Sequence, residues 1–107
     1  MRRIEREVKK FKYMPSLPMT YAQQGAIWFT CQTFRNQPKE VQLKIRELCT
    51  DIGGGDAMKR KAILAFMTTR ISWRECCDKH YISDNTLHLM RRRFFEEWRT
   101  YNGEKQN

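Results

Sequence analysis

Two helix-start signals in quick succession constrain this chain more than any other feature. Ser72 and Glu75 have the S-x-x-E spacing of a capping box, in which each side chain bonds a backbone N–H of the other residue. Ser83 offers a second N-cap, and Asp84 after it favours the positive end of a helix dipole. Helices that follow each other so closely cannot lie antiparallel side by side. We therefore predict two helices that cross at a steep angle.

The spacing of apolar and small side chains supports this helix pair. Each predicted helix carries a stripe at helical spacing: Trp73, Cys76, Cys77 and His80 in the first, and Leu87, Met90, Phe94 and Trp98 in the second. Cys77 is small and stands where the two faces should approach most closely. Ile82, in the turn, is expected to fill the gap between the helices.

Three further helices are predicted upstream, over about residues 20–35, 38–52 and 56–70. Their starts are a capping box at Thr20 and Gln23, Pro38 as a first helical residue, and Asp56 as an N-cap. Residues 53–55 are a glycine triplet that is neither preceded by a strand nor followed by G-K-[ST]. We interpret the triplet as a turn or hinge, and not as a phosphate-binding loop.

The whole chain, residues 1–107, is predicted to be one all-α domain of about five helices, because no strand-like alternation persists. Its first segment, residues 1–14, holds Ile4, Val8 and Phe11 at helical spacing and six basic against two acidic side chains. Two interpretations of this segment stay open: an amphipathic helix docked on the body, or a basic arm that contacts phosphates. The tail, residues 102–107, is expected to be frayed.

Composition favours an anionic partner. Lys and Arg number 21 against 12 Asp and Glu, a net charge of +9, which favours an anionic partner such as nucleic acid or a lipid surface. The four cysteines form no C-x-x-C pair, so we expect reduced thiols in a cytoplasmic protein, with no metal and no cofactor. No run approaches a membrane span. No nucleophile–base pair or other catalytic arrangement is visible, and no enzymatic activity is predicted.

Residues 56–98 resemble the helix-turn-helix in region 4 of bacterial sigma factors and related phage regulators. In that motif a long helix, here 56–70, precedes the pair, and a pattern similar to S-W-x-E-C-C-x-x-x-x-I-S-x-x-T-L runs across the turn. Size, charge and the C-terminal position of the module are similar to phage late-gene activators of the ArpU/RinA kind. Two residues depart from the pattern. His80 replaces the usual leucine, and Tyr81 replaces the glycine or asparagine that takes a positive φ. These two residues leave open whether the turn has the usual geometry or is built differently.

The resemblance implies that the second helix enters the major groove of DNA. The positions expected to face the bases are Asp84, Asn85, Thr86, His88, Leu89 and Arg92. Asn85 suits adenine and Arg92 suits guanine, while Ser83 and Thr86 suit phosphates or bases. Arg91 and Arg93 are expected at backbone phosphates, and Arg74 at the flanking strand.

Each of these residues also has a simpler interpretation. Ser83 and Asn85 could serve only the helix cap, and His88 could be a solvated surface histidine. The arginines could pair with Glu96 and Glu97 at helix spacing.

The predicted function is sequence-specific binding of double-stranded DNA, as a transcriptional regulator of a phage or prophage, in the cytoplasm at the nucleoid. The sequence leaves open whether the regulator also contacts RNA polymerase. The charge distribution complicates this prediction, because residues 72–107 carry only +1 (7 − 6) and residues 1–71 carry +8 (14 − 6). The alternative is a protein–protein interaction module or a phage assembly factor, such as a small packaging-terminase subunit. Residues 20–52, with Trp28, Phe29 and Phe34, are the candidate homodimer surface.

Overall fold

The computed structural model describes residues 11–101, which form five α-helices and contain no β-strand. The helices are α1 (Tyr21–Gln32), α2 (Lys39–Gly53), α3 (Ala57–Thr68), α4 (Trp73–His80) and α5 (Asp84–Thr100), with a short 3-10 turn at Phe34–Asn36. The predicted all-α fold is therefore confirmed. The expected frayed tail at 102–107 lies outside the described residues.

The predicted capping residues start four of the five helices. Ser72 Oγ accepts from the Glu75 N–H at 3.1 Å, and the Glu75 carboxylate accepts from the Ser72 N–H at 3.2 Å. Thr20 and Gln23 form the same reciprocal pair, while Asp56 and Ser83 cap α3 and α5 through single side-chain oxygens. These local bonds explain why the helix starts could be predicted so closely from sequence. Pro38 is the exception, since it lies one residue before α2 and is its N-cap.

The ends of α1 and α3 fall two or three residues earlier than predicted. Threonine hydroxyls bond the carbonyl four residues back at both ends: Thr33 to Phe29 at 2.8 Å, Thr68 to Leu64 at 2.7 Å and Thr69 to Ala65 at 2.7 Å. Such bonds compete with the regular backbone pattern of a helix and are common where it stops.

The glycine triplet forms a tight turn between α2 and α3. A Cβ added to Gly53 would lie 2.6 Å from the backbone nitrogen of Arg60 and 2.7 Å from its Cα, closer than atoms can pack. Gly54 has φ +62°, a conformation that side chains other than glycine adopt at a cost. The Arg60 guanidinium donates to the Gly54 carbonyl at 2.6 Å. The turn therefore requires glycine at two positions for different reasons.

We expect Gly53→Ala to lower the free energy of unfolding by about 2–4 kcal/mol, because the backbones of α2 and α3 would have to separate. The neighbouring Gly55 has open space around its Cα and an ordinary φ, so Gly55→Ala is the matched control. Urea unfolding, monitored by circular dichroism, gives the free energy of unfolding of the two variants. Equal effects of the two substitutions would contradict the close contact at Gly53.

Helix α3 is the centre of the core and packs against each of the other four helices. Its Ile63 and Met67 are fully buried, together with Ile45 and Leu48 of α2. Seven further residues have no accessible surface: Gln24, Cys31, Ala62, Cys76, Leu87, Phe94 and Phe95. α3 thus fixes the position of α4 and α5, which carry the candidate site.

All four cysteines are free, within residues 11–101. Burial raises the pKa of the Cys49 thiol to about 12 and raises the pKa of the Cys31 thiol still further. Both side chains are therefore neutral and unreactive, and they act as small apolar residues.

Residues 11–19 form an irregular segment, here called the strap, that lies along α1 and α5. Its Met14, Leu17 and Met19 are buried in the core. Gln24 of α1 is fully buried beneath the strap, where its amide oxygen accepts from the Met14 N–H at 2.9 Å and its NH₂ group donates to the Met14 carbonyl at 2.9 Å. The helix predicted over residues 1–14 therefore does not include residues 11–14. Residues 1–10 lie outside the described part of the chain.

Among residues 11–101, none of the helices combines the length and the apolar character that crossing a membrane requires.

Candidate nucleic-acid interface

The turn between α4 and α5 depends on Tyr81, which has φ 53° and ψ 47°. The N–H groups of Tyr81 and Ile82 both donate to the carbonyl of Cys77, a pattern typical of helix ends with a left-handed residue. The question that the sequence left open is thus answered at residue 81, since Tyr81 itself takes the left-handed conformation that glycine or asparagine usually supplies. The Tyr81 side chain is 86% exposed, so no packing offsets a strain of roughly 1 kcal/mol.

His80, the second departure from the motif, is buried at the end of α4. Its Nε2 has no hydrogen-bond partner among the described residues. Burial lowers the pKa of His80, and the positive charges of Lys79 and Lys61 lower it further. The imidazole is therefore neutral near pH 7 and fills the space where a leucine usually stands.

We expect acid to destabilise the fold through His80. Because its pKa in the folded protein is below the ordinary 6.5, the unfolded chain binds the proton more readily, and stability falls as the pH drops below about 6.5. His80→Leu should remove this contribution and flatten the stability profile between about pH 5 and pH 7. Thermal unfolding at a series of pH values measures how stability depends on pH. His88→Leu is the control, because it replaces an exposed histidine. If the stability of His80→Leu falls with decreasing pH as steeply as that of the wild type, His80 is not the cause of the acid sensitivity.

Cys76, and not Cys77, is the small residue buried at the centre of α4. The Cys76 thiol donates to the carbonyl of Ala62 at 3.3 Å and so contacts α3, while Cys77 is only half-buried. Within residues 11–101, no group of three or more His, Cys, Asp or Glu side chains is placed to hold a metal ion.

Trp73, in the first turn of α4, positions two of the predicted base-facing residues. Its indole N–H donates to the Asp84 carboxylate, and its ring lies 6.0 Å from the imidazole of His88 at 62°. Asp84 and His88 are four residues apart and therefore share one side of α5. Sequence inspection assigned Trp73 only to the apolar stripe, because nothing in the spacing shows that its N–H faces α5.

The first half of α5 carries a stripe of side chains, here called the α5 stripe, formed by Asn85, His88, Leu89 and Arg92 at i, i+3, i+4 and i+7. The first three are exposed, and Arg92 is half-buried. Asn85 makes no side-chain hydrogen bond to another described residue, and Leu89 is 53% exposed. Arg74 is exposed in the first turn of α4.

Ser83 and Thr86, two of the predicted DNA-contacting residues, bond each other in the N-terminal cap of α5. The Ser83 hydroxyl accepts from the Thr86 N–H at 3.0 Å and bonds the Thr86 hydroxyl at 2.9 Å. The predicted N-cap role of Ser83 is confirmed, and Thr86 is half-buried beside it. Asp84 is exposed at the N-terminus of the helix.

Arg91 is not at the surface, and its predicted phosphate contact is wrong. Only 3% of the residue is exposed. Its guanidinium lies over the ring of Phe95 at 5.6 Å and donates to the carbonyl of Lys12 in the strap. Burial lowers the pKa of Arg91 to about 10, which still leaves it charged near pH 7. The physical reason is its position four residues after Leu87 and three before Phe94, on the apolar side of α5.

Arg92 and Arg93 form ion pairs within α5. Arg92 Nε lies 3.3 Å from the Glu96 carboxylate, and the Arg92 guanidinium also donates to Ser16 in the strap. Arg93 donates to Glu97 through two nitrogens, at 2.9 and 2.7 Å. The pairing of these arginines with Glu96 and Glu97 is confirmed. A phosphate or base would therefore have to compete with a carboxylate for either arginine.

Comparisons of the chain with protein-family models, curated proteins and solved structures found no match. The function has to be inferred from the geometry of the residues alone.

Proposed function

We propose that the chain binds double-stranded DNA sequence-specifically through a helix-turn-helix formed by α4, the Tyr81–Ser83 turn and α5. The observation that carries the proposal is the α5 stripe, which begins directly after a capped helix start and a left-handed turn residue. In a helix-turn-helix, this part of the second helix contacts base edges in the major groove. Regulation of transcription is the role that we propose for such binding.

The α5 stripe has the chemistry that base recognition requires. The side-chain amide of Asn85 can accept a hydrogen bond from the N6 amino group of adenine and donate one to its N7. Leu89 is apolar yet 53% exposed, and contact with a thymine methyl group would remove that surface from water. His88 is held by Trp73 beside Asn85 and adds a donor or acceptor.

The positive charge that attracts phosphates lies outside the α5 stripe. Arg74 is exposed at the start of α4, and Lys12 is exposed in the strap where it meets α5. The sequence before the strap, residues 1–10, adds five basic against two acidic side chains. We propose that these upstream charges provide affinity for any duplex and that the α5 stripe provides the sequence preference.

Selection of bound duplexes from a random pool tests sequence specificity. We expect a short motif to be enriched over successive rounds with wild-type protein, and the enrichment to be lost with Asn85→Ala and His88→Ala combined. Both side chains are exposed, so the double variant should fold normally. A pool that stays random with the wild type would contradict specific recognition.

A second candidate function, protein–protein interaction, is favoured by two exposed apolar side chains. Phe29 of α1 is 50% exposed and Leu43 of α2 is 54% exposed. The surface is smaller than the sequence suggested, because Trp28 is buried in the core and Phe34 is half-buried under the guanidinium of Arg46. Light scattering over a concentration series tests this candidate. Self-association that Phe29→Ser with Leu43→Ser abolishes would support it, and a monomer at all concentrations would oppose a homodimer.

A further inference from the structure

A cavity of about 450 Å³ lies between the strap and the α4–α5 pair. Its walls come from the strap, α1, α3, α4 and α5, so it is formed only in the folded domain. The volume is within the range of about 300–1,000 Å³ that is typical of small-molecule sites.

Three aromatic side chains form one side of the cavity: Trp28, Phe66 and Trp73. The rings of Trp28 and Phe66 are 5.7 Å apart at 53°, and those of Phe66 and Trp73 are 5.2 Å apart at 84°. The three rings thus form a continuous apolar surface. A flat ring placed against it would gain both burial and aromatic contact.

The cavity lining also includes a buried positive charge. Arg91 lines it, and the Nε of its guanidinium has no hydrogen-bond partner among the described residues. Within residues 11–101, no carboxylate forms an ion pair with Arg91, since Glu96 and Glu97 pair with Arg92 and Arg93. A buried cation without an anion is unfavourable, and a bound anion would relieve that cost.

Lys12 and Asp84 complete the charge of the cavity lining and so determine which sign of ligand charge it favours. Lys12 lines the cavity and adds a second cation. Asp84 lines it too, but its carboxylate accepts the indole N–H of Trp73. Lys12, Arg91 and Asp84 together give the lining a formal charge of +1 (2 − 1).

We propose that this cavity binds a small planar aromatic carboxylate. The carboxylate meets the Arg91 guanidinium and the Lys12 ammonium, and the ring lies against Trp28, Phe66 and Trp73. Because Asp84 and His88 belong to both the cavity and the first half of α5, a bound ligand lies directly beside the α5 stripe.

Binding of 1-naphthoate to the full chain tests this proposal, with 1-naphthylmethanol as a probe of equal ring size but no charge. The indole N–H signals of the three tryptophans in a ¹H–¹⁵N spectrum report where the probe binds. Trp28 and Trp73 line the cavity, whereas Trp98 packs on Phe94 beneath the Lys44 ammonium and serves as an internal control. We expect saturable shifts of Trp28 and Trp73 with a Kd of about 1 mM or tighter, and at least roughly tenfold weaker binding of the alcohol.

Three variants test which cations of the protein contact the carboxylate of naphthoate. Arg91→Met and Lys12→Met should each weaken naphthoate binding by at least roughly threefold to tenfold, whereas Arg93→Met, which removes an exposed arginine outside the cavity, should not change it. Lys12 is exposed, so its variant keeps the test valid even where Arg91→Met fails to fold. Equal binding of naphthoate and the alcohol, equal shifts of all three indoles, or no saturation would overturn the proposal. No DNA is present, so this outcome is separate from that of the DNA-binding test.

Discussion

Replacing Asn85, His88 and Leu89 together with alanine should lower affinity for the preferred duplex by at least about 100-fold, since each base contact contributes roughly 1–3 kcal/mol. All three side chains are exposed on α5, and none of them contributes to the core. Alanine has the highest helix propensity, so α5 should form as readily as before. Affinity for unrelated duplexes should change little, because the phosphate contacts come from other residues.

Competition binding measured by fluorescence anisotropy, with the preferred duplex and a scrambled one, gives both affinities. Thr100→Ala is the control, since Thr100 is exposed at the far end of α5, outside the α5 stripe. The control should bind as the wild type does. If the triple variant unfolds at the wild-type temperature and still prefers the same duplex to the same degree, the α5 stripe does not determine specificity.

Gln24→Leu should lower the free energy of unfolding by about 2–4 kcal/mol, because it leaves buried backbone groups of the strap without partners. The Gln24 side chain bonds the N–H and the carbonyl of Met14, both at 2.9 Å, and the carbonyl of Met19 at 3.2 Å. Leucine has nearly the same volume but no polar atom, so the effect would come from lost hydrogen bonds and not from a void.

Urea unfolding gives the change in stability, and tryptic cleavage after Lys12 reports whether the strap has detached. Gln23→Leu is the neighbouring control, since Gln23 is exposed and bonds only the Thr20 N–H within the capping box. Its cost should be about 1 kcal/mol or less. A Gln24→Leu protein as stable and as resistant to trypsin as the Gln23→Leu protein would show that Gln24 does not hold the strap.

The predictions from sequence were most successful where the determinants are local. Capping at Thr20, Asp56, Ser72 and Ser83 depends on residues within one helical turn, so spacing alone identifies it. The conformation of Tyr81 could not be predicted in this way. Two hydrogen bonds to Cys77 and the packing of the flanking helices impose a positive φ on a residue type that rarely adopts one.

The strap and the arginine triplet show where inference from sequence failed. Arg91 looks like part of a basic surface, yet the helical period places it on the apolar side of α5 beneath the Lys12 carbonyl. Arg92 likewise bonds Ser16, which is 76 residues away in the chain. Contacts over such separations depend on tertiary packing, and neither charge counts nor apolar spacing encodes them. The partial signal in the sequence was three apolar residues, Met14, Leu17 and Met19, close to Pro15 and Pro18.

The affinity of the wild-type protein for its selected duplex, measured over a range of salt concentrations, tests the DNA-binding proposal most directly. With roughly three to seven phosphate contacts from Arg74, Lys12 and the five basic residues of the 1–10 sequence, we expect log K to fall with log salt at a slope of about −3 to −6. The selected duplex should bind roughly 1,000-fold or more tightly than a scrambled one near physiological salt. The absence of duplex binding at moderate salt would contradict DNA recognition by α5. Equal affinity for the two duplexes, with no dependence on salt, would contradict it as well.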